Sequence, residues 1–295
     1  MNNRKITGQF SDELETAIKL AHQAGLKIMD FYNTSFVVEE KLGLDNYVEP
    51  VTEADRQASE IIVAGLRESF PDDGILSEEL TDTSERLALK RAWIIDPIDG
   101  TYGFVKHEGD FAVQIGLAVQ GEAVLGVVYE PLGERLFWAV KGEGAWFESS
   151  ANEPQQLKVS EKTRFSEMIV AASRSHYNPR QQRLRKYFGF KKEIRRGSVG
   201  VKVGLLAMRE CDVYVTFSAR TKQWDTCAPQ IFLEEAGGKM TDLYGEQIRY
   251  NTEDVQNHNG VVATNGAAHD ELINRLKPLL TEFGKVRVKT PKLRK

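Results

Sequence analysis

The segment that most restricts how this chain can fold is Trp93–Phe104, which has the sequence WIIDPIDGTYGF. Its apolar start is typical of a buried strand, and the strand runs directly into Asp96 and Asp99. Two carboxylates three residues apart, with Pro97 fixing the bend between them, can converge on one point at the end of a strand. Carboxylates are hard oxygen ligands that suit Mg²⁺. An Asp-rich turn, with hairpin chemistry at Asp99 and Gly100, also explains the same segment.

Other acidic positions have ordinary structural explanations when each is taken alone. Glu78 lies in GILSEE (residues 74–79), where a solvated strand end accounts for its charge. Asp55 follows Thr52 by three residues, which is the spacing of a capping box at the start of a helix. Asp225 lies where another predicted helix begins, and aspartate is a common N-cap residue there. None of these acids indicates a metal site by itself.

The hydrophobic pattern divides the chain into two halves of different character. The first half predicts two helices followed by an antiparallel meander, with helices over 11–28 and 53–69 and strands over 74–77, 92–96, 111–119, 123–130 and 135–140. After the polar stretch 148–166, the pattern alternates as in an α/β layer, with strands over 167–172, 212–217 and 260–264 and helices over 200–209, 226–236 and 268–280. We therefore predict an α+β domain over residues 1–147 joined to an α/β domain over residues 148–295.

The charge balance argues against a nucleic-acid partner. The chain has 39 Lys and Arg residues against 43 Asp and Glu residues, a net charge of −4. Six basic residues and no acid occur in the tail KVRVKTPKLRK (285–295), so the rest of the chain carries −10. The tail lacks interleaved aromatic residues, and we predict a short final strand (KVRV) with a frayed end. The acidic body would need metal cations to bind a phosphate group.

Cysteine content and hydropathy predict a reducing, cytoplasmic location. Cys211 and Cys227 are too few for a disulfide framework and do not form a CxxC pair. The first fifteen residues, MNNRKITGQFSDELE, contain no apolar core of the kind found in a signal peptide. No segment approaches the ~20 apolar residues that cross a bilayer, so we expect no membrane span.

Four segments, in chain order, resemble the inositol monophosphatase superfamily of Mg²⁺-dependent, lithium-sensitive phosphatases: VTEAD (51–55), GILSEE (74–79), WIIDPIDGT (93–101) and WDTCAPQIFLEEAGGK (224–239). This resemblance implies a layered α-β-α-β-α sandwich with the site between its two halves. SRSH (173–176) and WDTCAP further resemble the 3'(2'),5'-bisphosphate nucleotidase branch, which hydrolyses adenosine 3',5'-bisphosphate to AMP. The usual DGTK of that branch reads DGTY here, with Tyr102 in place of the lysine.

The resemblance implies direct hydrolysis by a metal-activated water. Two or three Mg²⁺ ions would be held by four carboxylates and one main-chain carbonyl, those of Glu78, Asp96, Asp99, Asp225 and Ile98. Thr101, hydrogen-bonded to Asp55, would take the proton of the water. The catalytic residues that the resemblance implies are thus Asp55, Thr101 and Glu78. The substrate would contact the main-chain N–H groups of Gly100 and Thr101, together with Ser173, His176, Ser198, Lys202 and Asp225.

Other functions within and outside this fold remain open. An inositol monophosphatase or a fructose-1,6-bisphosphatase-like sugar phosphatase would share the metal site and differ in the pocket for the leaving group. SRSH, Lys202 and WDTCAP favour a bisphosphorylated nucleotide. A non-catalytic regulator would lack a metal carboxylate, and none is missing. The expected partner is a small phosphorylated molecule, and the resemblance also allows a homodimer.

Overall fold

The computed structural model describes residues 8–42, 48–175 and 178–289. In these ranges the α-helices are α1 (Ser11–Tyr32), α2 (Glu53–Ser69), α3 (Thr101–Val105), α4 (Pro179–Phe188), α5 (Val199–Ala207), α6 (Gln223–Glu235) and α7 (His269–Glu282). The strands are β1 (Val38–Leu42), β2 (Val48–Thr52), β3 (Gly74–Ser77), β4 (Arg91–Asp99), β5 (Ala112–Val119), β6 (Glu122–Glu130), β7 (Arg135–Val140), β8 (Ala145–Ser149), β9 (Asn152–Gln156), β10 (Ile169–Ser173), β11 (Lys192–Arg196), β12 (Val213–Thr216), β13 (Lys239–Thr241) and β14 (Val261–Thr264).

The first half of the chain forms a seven-stranded sheet covered by two helices. Strands β3 to β9 lie side by side in chain order. β3 is parallel to β4, and each later neighbour is antiparallel. α1 and α2 pack on one face, where Ile18 and Ile62 join a buried cluster with Trp93 and Ile95 of β4. The predicted helix pair and the antiparallel meander from β4 to β7 are therefore confirmed, whereas β3, which was predicted as part of the meander, is parallel to β4.

The second half forms a mixed five-stranded sheet in the order β11-β10-β12-β14-β13. α5 and α6 lie between the two sheets, where Leu206 and Phe232 pack against Phe137 of the first sheet and Val261 of the second. α4 and α7 cover the outer face of the second sheet through residues such as Leu184 and Leu276. The layers therefore follow the expected α-β-α-β-α order.

Strand β9 lies in the polar stretch that we predicted as the connection between the halves. It pairs with β8 and completes the first sheet, so this stretch begins with a strand. The division into residues 1–147 and 148–295 itself stays a prediction. In the part of the chain described here, no helix combines the length and apolar character of a membrane-spanning segment.

The predicted final strand over 285–288 is not formed, because residues 285–289 adopt no regular structure. The main-chain N–H of Val288 donates to Oδ1 of Asn259 (2.8 Å), and its carbonyl accepts from Nδ2 of Asn259 (2.9 Å). The side-chain amide of Asn259 thus forms hydrogen bonds with both main-chain groups of Val288, which a neighbouring strand would otherwise have paired. The remaining tail residues, 290–295, lie outside the described ranges.

His269, the first residue of α7, is a buried histidine between two threonines. Thr241 Oγ1 donates to the Asp242 carbonyl (2.8 Å), so it accepts from Nε2 of His269 (3.0 Å). Thr264 Oγ1 lies 3.0 Å from Nδ1 and is then its donor. Burial, reinforced by the charge of Lys239, lowers the pKa of His269 to about 4. The neutral ring therefore suits this site better than the charged one.

We expect His269 to make the protein less stable in mild acid. The unfolded state, in which the ring titrates near 6.5, takes up a proton that the native state does not, so stability falls below pH 6.5 and levels off below pH 4. Between about pH 7 and pH 5 the free energy of unfolding should fall by about 2 kcal/mol. Urea unfolding of the wild type and His269→Gln at both pH values measures it, with His258→Gln as a surface control. An unchanged pH dependence in His269→Gln would contradict this expectation.

Candidate active site

Three aspartates from the two halves of the chain meet between the sheets. Asp96 and Asp99 end β4, and Asp225 is the third residue of α6. One carboxylate oxygen from each lies within 4.8 Å of the other two. Asp96 and Asp99 are buried and Asp225 is half-buried. The structure therefore brings together three of the four predicted carboxylate ligands.

A bulge in β4 explains how two acids three residues apart reach the same point. In a regular strand such residues point to opposite faces. The pairing of β4 with β5 shifts between Asp96, which lies opposite Gln114, and Asp99, which lies opposite Ala112, so β4 carries one extra residue there. Bulges of this kind redirect side chains and are common beside active sites.

The three carboxylates repel one another in a buried setting. Burial raises the pKa of Asp96 well above its ordinary range, and the negative charges of Glu78, Asp99 and Asp225 add to this effect. Burial and the charge of Asp99 likewise raise the pKa of Asp225. A hard divalent cation would remove this repulsion, and carboxylate oxygens are the ligands that such cations prefer. The donor set therefore fits Mg²⁺ in its chemistry.

Asp99 is fixed by groups from both halves of the chain. Its Oδ2 accepts hydrogen bonds from Nε2 of Gln114, from Oγ of Ser198 and from the main-chain N–H of Gly200, the last at 2.7 Å. Ser198 also caps α5, because its Oγ accepts from the N–H of Val201 (3.0 Å). The hydroxyl that we predicted to contact substrate is thus engaged with Asp99 in this structure.

Asp225 caps its helix from inside rather than from the position before it. α6 begins at Gln223, and Oδ2 of Asp225 accepts from the main-chain N–H of Lys222 (2.6 Å). Asn257 Nδ2 in turn donates to the Lys222 carbonyl (2.9 Å). The sequence predicted Asp225 as the N-cap residue, but Lys222 holds that position and Asp225 is the third residue of the helix. The support from Asn257 comes from a distant loop.

The carboxylate of Glu78 is held by a lysine that sequence reasoning missed. The main-chain N–H of Glu78 donates to the Ile95 carbonyl (3.2 Å), so the pairing of β3 with β4 continues to Glu78. Lys41 Nζ of β1 lies 2.7 Å from Glu78 Oε1 and also binds Glu79. Burial opposes the charged form of Lys41, but the two carboxylates outweigh it and raise the pKa of Lys41. Among the described residues, Glu78 therefore lies outside the three-carboxylate cluster.

The side chains of Thr101 and Asp55, which we predicted to form a proton relay, lie within hydrogen-bond distance of each other. Thr101 Oγ1 lies 3.3 Å from Asp55 Oδ1 and 3.1 Å from the Ile98 carbonyl oxygen. The other oxygen of Asp55 accepts from the N–H (2.7 Å) and Oγ1 (2.6 Å) of Thr52. Burial raises the pKa of Asp55 to about 7, although its bonds to Thr52 oppose the shift. Helix capping and the contact with Thr101 thus use different oxygens of one carboxylate.

Two further predicted substrate contacts, Lys202 and Ser173, differ in their burial. Lys202 is 3% exposed, and its Nζ donates to the Gly197 carbonyl (2.9 Å) and lies 5.1 Å from the centre of the Tyr214 ring. Burial lowers the pKa of Lys202 to about 8, against the nearby negative charges. Ser173 is half-buried at the end of β10, and His176 lies outside the described residues.

Gly100 supplies the sharp turn between the aspartates of β4 and α3. Its φ of 95° favours glycine, and a Cβ there would lie 2.4 Å from the Asp110 carbonyl oxygen. Thr101 follows as the first residue of α3. Tyr102, at the position of the branch's lysine, is 45% exposed with Lys106 near its ring. These substrate contacts stay predictions.

Comparison with known proteins shows similarity over most of the chain. The model of the inositol monophosphatase family matches residues 11–280. A fructose-1,6-bisphosphatase/inositol-1-monophosphatase from Thermotoga maritima is 30% identical over 92% of this chain and 99% of its own length. The 3'(2'),5'-bisphosphate nucleotidase CysQ from Salmonella typhimurium is 35% identical over 80% of this chain and 93% of its own. A solved IMPase structure from Thermotoga maritima superposes with a TM-score of 0.78 at 29% identity, covering 92% of this chain and all of that one.

The family match covers β4 and α6, which carry the three clustered aspartates, and also α2 and α3, which carry Asp55 and Thr101. Relatives at 30% and 35% identity extend over most of both chains, so the similarity is not confined to one motif. The protein therefore belongs to the inositol monophosphatase family and is a metal-dependent phosphatase.

Proposed function

We propose that this phosphatase is a Mg²⁺-dependent 3'(2'),5'-bisphosphate nucleotidase that converts adenosine 3',5'-bisphosphate to AMP and phosphate. The observation that carries the hydrolytic part is the convergence of Asp96, Asp99 and Asp225 beside the Thr101–Asp55 pair. The nucleotide part rests on SRSH and WDTCAP and on the 35% identity to a CysQ nucleotidase.

The cluster, with the Ile98 carbonyl and Glu78, would hold two or three Mg²⁺ ions, which when bound would lower the pKa of a water and neutralise phosphoryl charge. Lys41 contacts Oε1 of Glu78, and the second oxygen of the carboxylate, Oε2, is the atom that could serve as the ligand. The Thr101 hydroxyl can accept a proton as it passes its own to Asp55 Oδ1. Because burial raises the pKa of Asp55 to about 7, both protonation states of this carboxyl are accessible at neutral pH.

The second phosphate of the substrate is proposed to lie near the start of α5 and the end of β10. Lys202 and Ser198 come from α5 and its cap, and Ser173 ends β10, while His176 follows it in sequence. A phosphate there would draw on the buried positive charge of Lys202 and on the Ser173 hydroxyl, whereas the Ser198 hydroxyl would first have to leave Asp99. An inositol or sugar monophosphate has no second phosphate to occupy this position.

Initial rates on four substrates test the proposal. Adenosine 3',5'-bisphosphate, adenosine 3'-monophosphate, inositol 1-phosphate and fructose 1,6-bisphosphate should be compared with one enzyme preparation in Mg²⁺. We expect kcat/KM to be highest for the nucleotide bisphosphate, and about tenfold or more below it for adenosine 3'-monophosphate, which lacks only the second phosphate and its charge-assisted hydrogen bonds. A clear preference for inositol 1-phosphate or fructose 1,6-bisphosphate would overturn the proposed substrate.

A further inference from the structure

Asp110, just before β5, connects the two halves of the chain through its carboxylate. The residue is 6% exposed. Its Oδ2 accepts from the main-chain N–H of Gly197 (2.8 Å) and lies 2.8 Å from Nη1 of Arg174. Oδ1 lies 3.6 Å from Nε of Arg196. All three partners belong to the second half of the chain. The buried carboxylate of Asp110, in the first half, thus contacts two arginines and one main-chain N–H of the second half.

The main chain of Asp110 is equally constrained. A Cβ placed on Gly100, Gly103 or Gly197 would lie 2.4, 2.9 or 2.8 Å from the Asp110 carbonyl oxygen. Such distances are too short for any other residue type without movement of the backbone. Three glycines from two segments thus allow close packing around one residue, and Asp110 has little freedom to shift.

The peptide units on either side of Gly197 are held by two buried charged groups. Asp110 accepts from the N–H of Gly197, and the ammonium of Lys202 donates to its carbonyl (2.9 Å). The next residues, Ser198 and Gly200, donate to Oδ2 of Asp99. The position of this turn therefore contributes, together with Gln114, to how the carboxylate of Asp99 is oriented.

We propose that Asp110 is a positioning residue of the metal site: by fixing the Gly197 turn, it orients Asp99 and so sets the affinity for divalent cations. The inference rests on the metal site of the proposed function but not on the choice of substrate. Asp110 itself touches none of the three clustered carboxylates through a hydrogen bond, and its effect passes through Gly197 and Ser198.

Glu108 provides a matched control on the same arginine. Its Oε2 lies 3.4 Å from Nη1 of Arg174, and its side chain is 35% exposed. Its ion pair with Arg174 reaches neither Gly197 nor Ser198. Glu108→Gln therefore weakens the ion pairing of Arg174 while leaving the contact between Asp110 and Gly197 in place.

Calorimetric titration of Mg²⁺ into the full chain, without substrate, tests the proposal. We expect Asp110→Ala to weaken Mg²⁺ binding about tenfold, because the turn loses a charge-assisted hydrogen bond, and Asp110→Asn about threefold, because the amide oxygen is a weaker acceptor. Glu108→Gln should stay within about twofold of the wild type, since exposed ion pairs contribute little. At saturating Mg²⁺, kcat of Asp110→Asn should return to within about threefold of the wild type, which a general packing defect would prevent.

Two results would overturn the inference: wild-type Mg²⁺ affinity in Asp110→Asn, or an equal loss in Glu108→Gln. Asp110→Asn is nearly isosteric, so it remains informative if Asp110→Ala does not fold. A wild-type protein that binds no Mg²⁺ would instead overturn the metal assignment on which the proposed function depends. Mg²⁺ binding with a different preferred substrate would leave this inference standing.

Discussion

Replacing Asp96 with asparagine is expected to lower kcat/KM by about a thousandfold or more, because a metal site contributes several kcal/mol to transition-state stabilisation. The substitution keeps the shape of the side chain. It also keeps an oxygen for the main-chain N–H of Ile98, which donates to Oδ1 of Asp96 (3.1 Å). The change therefore removes a negative charge at the centre of the cluster with little cost in packing. Assays across a Mg²⁺ titration measure the loss.

Thermal unfolding distinguishes this loss of metal binding from a loss of fold. Because burial and neighbouring carboxylates raise the pKa of Asp96, its ionisation costs stability as the pH rises. Without Mg²⁺, Asp96→Asn should then be more stable than the wild type above neutral pH. With saturating Mg²⁺, the wild type should gain stability by mass action and the variant should not. Asp72→Asn, on an exposed aspartate, is the control. Near-normal activity and Mg²⁺ dependence in Asp96→Asn would contradict the assignment.

The parts of the fold and site that were predictable from sequence depend on local patterns. The apolar run before Asp96 predicts β4, and the predicted limits of β3 are the observed ones. The capping role of Asp55 also follows from its spacing to Thr52. In each case, the residues that decide the structure lie within a few positions of one another.

The parts that escaped prediction depend on contacts between distant segments. β1, with the sequence VEEKL, has no alternating apolar pattern, and Lys41 meets Glu78 37 residues later. The bond from Ser198 to Asp99 spans 99 residues, and the packing of glycines around Asp110 involves two separate turns. β11 and α4 are rich in charged residues and present only part of their surface to the core. No periodicity in the sequence encodes which such segments meet.

The Thr101–Asp55 pair yields the second large prediction. Thr101→Ala and Asp55→Asn should each lower kcat by about 10²–10³-fold, the usual contribution of a positioned proton acceptor. Thr101→Ala removes the hydroxyl that would take the proton, and Asp55→Asn removes the carboxylate that would receive it 3.3 Å away. Thr281→Ala, which removes an exposed hydroxyl on α7, is the control and should leave kcat unchanged.

The double variant decides whether the two groups act as one relay. If the proton must pass through both, removing the second group costs little once the first is gone, and the double variant should stay within about threefold of the slower single variant. Independent roles predict that the two losses multiply, to about 10⁵-fold. Asp55 also bonds both the N–H and the hydroxyl of Thr52, so Asp55→Asn carries a stability effect that Thr101→Ala lacks. Comparing kcat at a temperature where all three variants remain folded removes that difference, and multiplied losses there would argue against a relay.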